Sequence, residues 1–397
     1  MQLIFKLILS VIICLSSILT FSQNELSINE NAESRDKATA QFLISYYEQD
    51  GEHSPVTGGI GTEKLDDITP RLVVNIPLKH KQNINVLAGI DIYTSASTDM
   101  IDFQMSSASK QDSRTYGTIT YTKEHTENRM KVGGLIGASN EYDYISFSGG
   151  VLFSKWSKNK NRQLDLKASA FIDQWKTYYP EDLPQQFQVA DKARNTINFT
   201  SLLTQVINKN LQVSLSADAV YQQGLLSTPF HRVFFENEVF PRLEKLPDTR
   251  LKIPVGVKAN YYINDYFVLR LGYRYYWDDW NLTAHTIETE LPIKFGRFFT
   301  IYPFYRYHTQ TAAEYFEPST SHATDAQFFT NDYDLSELTS DKFGLGIRWS
   351  PLNGVGRIKR GKNKVMLVKE INFRYAKFDR SDGLKANIFS LGIGFEF

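Results

Sequence analysis

Long stretches of this 397-residue chain alternate strictly between apolar and polar residues. In LQVSLSADAVYQQ, Leu211, Val213, Leu215, Ala217, Ala219 and Tyr221 fall on one face of an extended strand, and Gln212, Ser214, Ser216, Asp218 and Gln222 on the other. YFVLRLGYRYYWDD sets Phe267, Leu269, Leu271, Tyr273, Tyr275 and Trp277 against Arg270, Gly272, Arg274 and Asp278. Between them, RLKIPVGVKANYYI sets Leu251, Ile253, Val255, Val257 and Ala259 against Lys252, Gly256, Lys258 and Asn260. Successive side chains of a strand point to opposite faces, so these are strands with one apolar and one polar surface. With their turn signals they number about sixteen, each of roughly ten to sixteen residues, the length that a tilted strand needs to cross a bilayer. Soluble strands are about half as long. Helical periodicity is scarce, and its strongest instance, FHRVFFENEVFPRLEKL, lies between two strands as a loop.

The connections sort into two kinds. Tight ones fall at KHKQ near residue 80, TENR near 127, KNKN near 159, NKN at 208, IND at 264 and Gly296. Longer polar ones cover 48–66, 98–112, 179–192, 226–250 and 312–337. Short turns at one end and long loops at the other make the outer-membrane pattern, with both termini periplasmic. The connection at 351–364 is longer than that pattern predicts for a turn, and the one near Asn140 is tighter than it predicts for an outer loop. The final strand, FSLGIGFEF, carries Phe389, Leu391, Ile393, Phe395 and Phe397 on one face. Phe395 and Phe397 resemble the terminal aromatic signal that barrel-insertion machinery reads. A closed barrel must also pair its last strand with its first. The expectation is an all-β transmembrane antiparallel barrel of about sixteen strands over residues 36–397. Trp277 and Trp349 take the lipid parity near strand ends, as interfacial residues do. Pro254 and Pro303 fall inside strands and imply a bulge or local irregularity there.

Residues 1–22 read as a signal peptide: Lys6, the apolar run LILSVIICLSSILTF, then a polar stretch. Residues 23–35 then form a short periplasmic segment. Cys14, the one cysteine, lies inside that apolar run, so the expected mature chain has no thiolate for disulfides, iron-sulfur clusters, zinc or CxxCH haem. The 44 basic and 44 acidic residues balance, which argues against a nucleic-acid partner. Aromatic residues reach 14%, suiting a barrel whose outer face meets lipid.

Little in the chain points to catalysis. Its seven histidines are scattered, and neither HExxH nor GxSxG occurs. Asp91, Lys167, Asp173, Asp218, Lys258, Arg270, Arg274, Asp278, Arg306, Glu370 and Arg374 take the lumen parity, a mixed-charge set that fits a wetted wall or a docking surface. Three loop stretches are more particular: Val56–Arg71, Ser95–Thr115 and Ser227–Arg250, the last containing Phe230, His231 and Arg232. Gly58, Gly59 and Gly61 permit a tight turn before Glu63, Asp66 and Asp67. Those acids lack the alternating spacing of a calcium loop, so a solvated loop without metal is expected.

Within these stretches, TGGIGTEKLDD, SSASKQDSRT, and PFHRVFF with LPDTR resemble a domain-of-unknown-function family of Gram-negative outer-membrane barrels. Members of that family are commonly encoded beside a small flavinylated lipoprotein, a flavin transferase and a thioredoxin-like protein. The resemblance implies a sheath or conduit for that lipoprotein, with flavin carried by the partner and none bound covalently by this chain. The alternative is a diffusion porin or small-solute channel. Either way the partners expected are outer-membrane lipids and the insertion machinery, and no enzyme activity is expected.

Overall fold

The computed structural model describes residues 37–94, 111–176, 193–236, 238, 240–360 and 364–397. Its alternating segments form sixteen wall strands: β1 (Thr39–Asp50), β2 (Leu65–Leu78), β3 (Gln82–Thr94), β4 (Gln111–His125), β5 (Met130–Asn140), β6 (Tyr144–Trp156), β7 (Arg162–Trp175), β8 (Ala193–Asn208), β9 (Leu211–Gly224), β10 (Thr249–Tyr262), β11 (Val268–Asp278), β12 (Thr283–Glu290), β13 (Phe299–Gln310), β14 (Leu338–Trp349), β15 (Lys364–Arg380) and β16 (Lys385–Glu396). Each pairs antiparallel with its neighbour in sequence. β16 also pairs with β1, from Thr39↔Glu396 to Asp50↔Lys385, so the sheet closes without a free edge. Two short strands lengthen the wall: Ile293–Phe295 continues β12 against β13, and Gly356–Arg360 continues β14 against β15. Helical structure among the described residues amounts to two 3₁₀ turns, Pro55–Thr57 and Tyr333–Leu335.

Side chains follow the alternation. Ile136, Phe147, Val151, Ile172 and Ile197 point outward and are each more than 60% exposed, and the register sets Phe147 beside Ile172. A contiguous apolar exterior of this kind marks a surface made for a membrane or a partner. Near the seam where the sheet closes, Ala40, Leu72, Val74 and Ile76 pack with Phe395 and Phe397. The Phe397 N–H donates to the Ala38 carbonyl, and Lys37 and Lys369 hold Glu396 at 2.7 and 3.1 Å. Trp349 lies outward, stacked on Phe299 at 6.0 Å.

The interior prolines interrupt hydrogen bonding without moving the register. Val255↔Ala217 stays in line with Lys252↔Val220 across Pro254, and Pro303 lies opposite the break between β12 and its extension. The expected irregularity is a gap in the ladder. The register shifts fall elsewhere, at Val206/Asn208 and Val368/Glu370.

Connections of two to five residues join the strands at the end that holds Thr39 and Glu396, apart from the longer excursion between β14 and β15. The opposite end carries the long segments 51–64, 225–248 and 311–337, together with tight turns at 141–143, 279–282 and 381–384. Three stretches read from sequence as loops run into the wall: β2 starts at Leu65, β4 at Gln111 and β10 at Thr249. The expected signal peptide, the segment at 23–35 and the loops at 95–110 and 177–192 lie outside the described residues.

The three long segments fold together into a cap. Arg232–Val233 pairs with Arg242–Leu243, and bridges tie Phe235 to His322, Lys245 to Phe329 and Phe316 to Thr330. One cap core is Val233, Phe235 and Phe329, with Phe235 and Phe329 edge-on at 4.8 Å. A second core joins Leu246, Trp280, Leu282 and Ala313 to Ala284, with Tyr276 packed against it. Tyr276 and Ala284 are inward-facing residues of β11 and β12, so this core plugs the cap into the mouth of the barrel. Gly58 suits this packing because it has φ +77°, and a Cβ would meet the Phe234 ring at 2.4 Å.

Candidate lumen site and loop cap

The charged side of the lumen is built by register. One row across the inner wall reads Lys258, Gly272, Glu288, Arg306 and Lys342, each opposite the next on strands β10 to β14. The adjacent row places Arg270 opposite Glu290, and Arg374 of β15 reaches the same carboxylate. Arg270 donates to Glu290 Oε1 at 2.6 Å and Arg374 to Oε2 at 2.9 Å, so one acid serves two guanidinium groups. Arg306 lies 3.6 Å from Glu288, a looser pair. Lys258, Arg274 and Lys342 have no carboxylate within 4 Å among the described residues. Lys258, Arg270, Glu288, Arg306, Lys342 and Arg374 border a cavity of about 720 Å³. A second cavity of about 350 Å³ shares Arg306 and Lys342 and extends past His308 to Gln310, Arg380 and the cap residue Asp334.

The opposite arc is different. Inward positions of β4 to β9 carry Thr118, Thr120, Ser146, Ser148, Thr200 and Ser214, small hydroxyls interspersed with charges of both signs such as Asp165, Lys167 and Asp218. Charges toward the long-loop end of that arc are neutralised locally. Arg114 holds Asp91 at 2.5 Å, and Arg194 holds Asp173 at 3.0 Å.

Fasteners hold the cap to the charged side. Asp278 is fully buried, and both its oxygens are in use. Oδ2 accepts from Arg250 at 2.5 and 3.0 Å and from the Tyr276 hydroxyl at 2.7 Å, while Oδ1 accepts from the Trp280 and Leu282 amides. The Arg250 guanidinium also stacks over Trp280 at 4.0 Å. Gln310 Nε2 donates to the Asp334 and Ser336 carbonyls, and Arg380 bridges Asp334 and Asp382 at 2.5 Å each.

A polar cluster sits inside the cap. The Glu244 side chain accepts from the Thr228 amide at 2.6 Å and from the Thr330 hydroxyl at 2.5 Å, and lies 3.3 Å from His231 Nδ1. Asp332 Oδ2 lies 3.8 Å from the same nitrogen. Burial alone would push the imidazole down, but Glu244 and Asp332 outweigh it and lift His231 to about 9. Burial raises the Asp332 carboxyl to about 6 despite the imidazolium beside it. Ligand atoms of the three residues lie within 4.8 Å of one another, a spacing that could hold a metal ion. The protonated imidazole itself supplies a positive charge beside the two carboxylates.

The residues singled out from sequence separate into distinct places. Lys258, Arg270, Arg274, Arg306 and Arg374 meet on one inner arc. Asp218 lies away from them, opposite Thr200 on β8, and Glu370 sits at the β15 bulge beside Gly394. Asp278 faces inward but is consumed as a fastener, which leaves no acceptor for a docking partner. Glu63, Asp66 and Asp67 form no solvated acidic cluster. Asp66 and Asp67 lie in β2 on opposite faces, Asp66 accepting from the Tyr46 hydroxyl and Asp67 from Thr69. Glu63 receives Gln49 Nε2, and burial lifts its carboxyl to about 7. Gly59 and Gly61 share the positive φ of Gly58 within the cap. Phe230 and Arg232 are buried there, with Arg232 Nη1 donating to the Val56 carbonyl. Sequence reading missed Glu288, Glu290 and Lys342, although their alternation in TAHTIETE and SDKFGLG gives the inward parity. Glu244, Asp332, Asp334 and Arg380 carry no such signal, because loop packing or a strand end sets their partners.

A family model described as a protein of unknown function, DUF3570, matches residues 98–359. The chain belongs to this family. The match covers most of the wall and both large cap segments of this DUF3570 barrel, and bears out the family resemblance read from the loop motifs. No curated relative matches the sequence. Similar solved structures include a bacterial polysaccharide outer membrane secretin, 8% identical at TM-score 0.47 over 92% of this chain and 100% of that one. The siderophore receptor PirA from Pseudomonas aeruginosa is 7% identical at TM-score 0.43, over 92% of this chain and 81% of the receptor. OccK9 (OpdG) from Pseudomonas aeruginosa is 7% identical at TM-score 0.40, over 91% of this chain and 98% of that one. Identities this low assign no functional residue.

Proposed function

We propose that this DUF3570 barrel lies in the outer membrane, with its termini on the periplasmic side, and forms a polar, loop-capped pore for small solutes. The observation that carries the reading is the closed wall itself, apolar outside and charged inside, with cavities that run along its inner surface from Arg270 to the cap. Such a wall solvates polar solutes while the exterior meets lipid. The chain's role is passage and selection, without chemistry. Reconstitution of the purified protein into planar bilayers tests this, with discrete current steps in potassium chloride as the expected result. A barrel that fractionates with the outer membrane yet adds no conductance in any preparation would overturn the pore.

A flavin-bearing lipoprotein partner rests on the family resemblance alone. Reductant enclosed in liposomes, with an impermeant acceptor outside, separates the two readings. A conduit transfers electrons only when the lipoprotein is present, whereas a pore passes small solutes without it.

A further inference from the structure

We infer that the arc formed by β10 to β14, with Arg374 of β15, is a binding subsite for solutes that carry two or more anionic oxygen groups, such as a diphosphate or a tricarboxylate. The inference rests on the pore reading and names the solute class.

The charge count around the larger cavity makes the argument. Five cations, Lys258, Arg270, Arg306, Lys342 and Arg374, face two carboxylates, Glu288 and Glu290. Glu290 is divided between Arg270 and Arg374, and Glu288 is only loosely engaged by Arg306. Arg306 and Lys342 stand directly opposite each other on adjacent strands, an arrangement that repels. Packing offers no reason to line up cations this way, since a wall needs only to be polar. Breaking a local rule without a structural gain points to function. An oxyanion in the cavity would supply the negative charge that the arc lacks, and guanidinium groups match phosphate and carboxylate alike.

Two further features agree. Gly272 lies between Lys258 and Glu288 in the row and leaves an opening in which a Cβ would come no closer than 3.6 Å to its nearest neighbour, Glu288. Arg306 and Lys342 border both cavities, so a solute that leaves the larger one toward the cap remains beside the same cations. Cations in a low-dielectric cleft concentrate counter-ions by about ten-fold or more.

The test uses the full chain in two formats. In planar bilayers under a potassium chloride gradient, the reversal potential should give chloride an advantage of about ten-fold over potassium. Lys258→Gln/Arg306→Gln/Lys342→Gln should bring the ratio near one while the current steps persist. In detergent, calorimetric titration with pyrophosphate and with citrate should give saturable heats that the triple variant loses, and sucrose should give none. Pyrophosphate without citrate would narrow the class to phosphates, and citrate without pyrophosphate to carboxylates. Lys342→Gln alone, checked for heat-modifiable gel migration, guards against misfolding of the triple variant and should weaken both effects. Current steps without ion preference, together with equal heats for wild type and variants, would overturn the subsite and leave the pore standing. Absence of current would overturn the pore, and the titration would then decide the subsite alone.

Discussion

At the residue scale, two buried groups connect the cap's chemistry to its stability. Asp278 satisfies Arg250, Tyr276 and two amides at once, so Asp278→Ala strands a guanidinium and two N–H donors in a buried site. Removing one partner of a buried ion pair costs about 3–5 kcal/mol. The expected result is a matching fall in the thermal midpoint of heat-modifiable migration, with Asp278→Asn recovering part of it. His231 gives a pH signature. Its folded pKa, about 9, lies above the ordinary 6.5, so the proton is held more tightly in the folded cap. The stabilisation is therefore complete below about 6.5 and fades as pH rises through 9. Hydrogen exchange across 228–247 should be slow at pH 7 and, after correction for intrinsic rates, much faster at pH 10. In His231→Gln that pH step should be absent, and its persistence would assign the loss to another group.

At the scale of elements, the wall was legible in the sequence and the cap was not. Period-two alternation is a local property, so the faces of β9, β10 and β11 could be assigned one strand at a time, with Arg270 inward and Leu271 outward. The cap depends on partners far apart in the chain. Arg232 reaches Val56 across 176 residues, and Phe234 reaches Asn331 across 97. No periodicity encodes such contacts, which is why Glu63 read as a solvated loop acid, when it is half-buried and accepts from Gln49. The facing assignment makes its own prediction. Phe199, outward near the middle of β8, is 46% exposed, and Thr200 beside it points inward. Phe199→Arg should cost about 2–4 kcal/mol in bilayer refolding titrations, the depth-dependent charge of an arginine facing lipid. Thr200→Arg should cost far less, and equal losses at both positions would mean that β8 does not face lipid.

At the scale of the whole molecule, the lumen is lopsided, and the cap leans on the charged side. Tyr276, Asp278, Ala284, Gln310 and Arg380, all on β11 to β15, anchor the cap to the wall there. The same side carries the unneutralised cations, so a solute approaching the arc from the long-loop end meets Asp334 before it meets Arg306. Asp334 is 71% exposed at its side chain, although it is paired with Arg380, and it borders the smaller cavity with Arg306 and Lys342. An acid in that position holds the cap down and also repels the anions that the arc attracts. Releasing it should therefore act on both functions together. Asp334→Ala/Gln310→Ala should raise single-channel conductance and strengthen the anion preference without lowering the thermal midpoint as Asp278→Ala does, because both cap cores stay intact. Unchanged conductance and selectivity in that variant would place the cap beside the conduction path instead of across it.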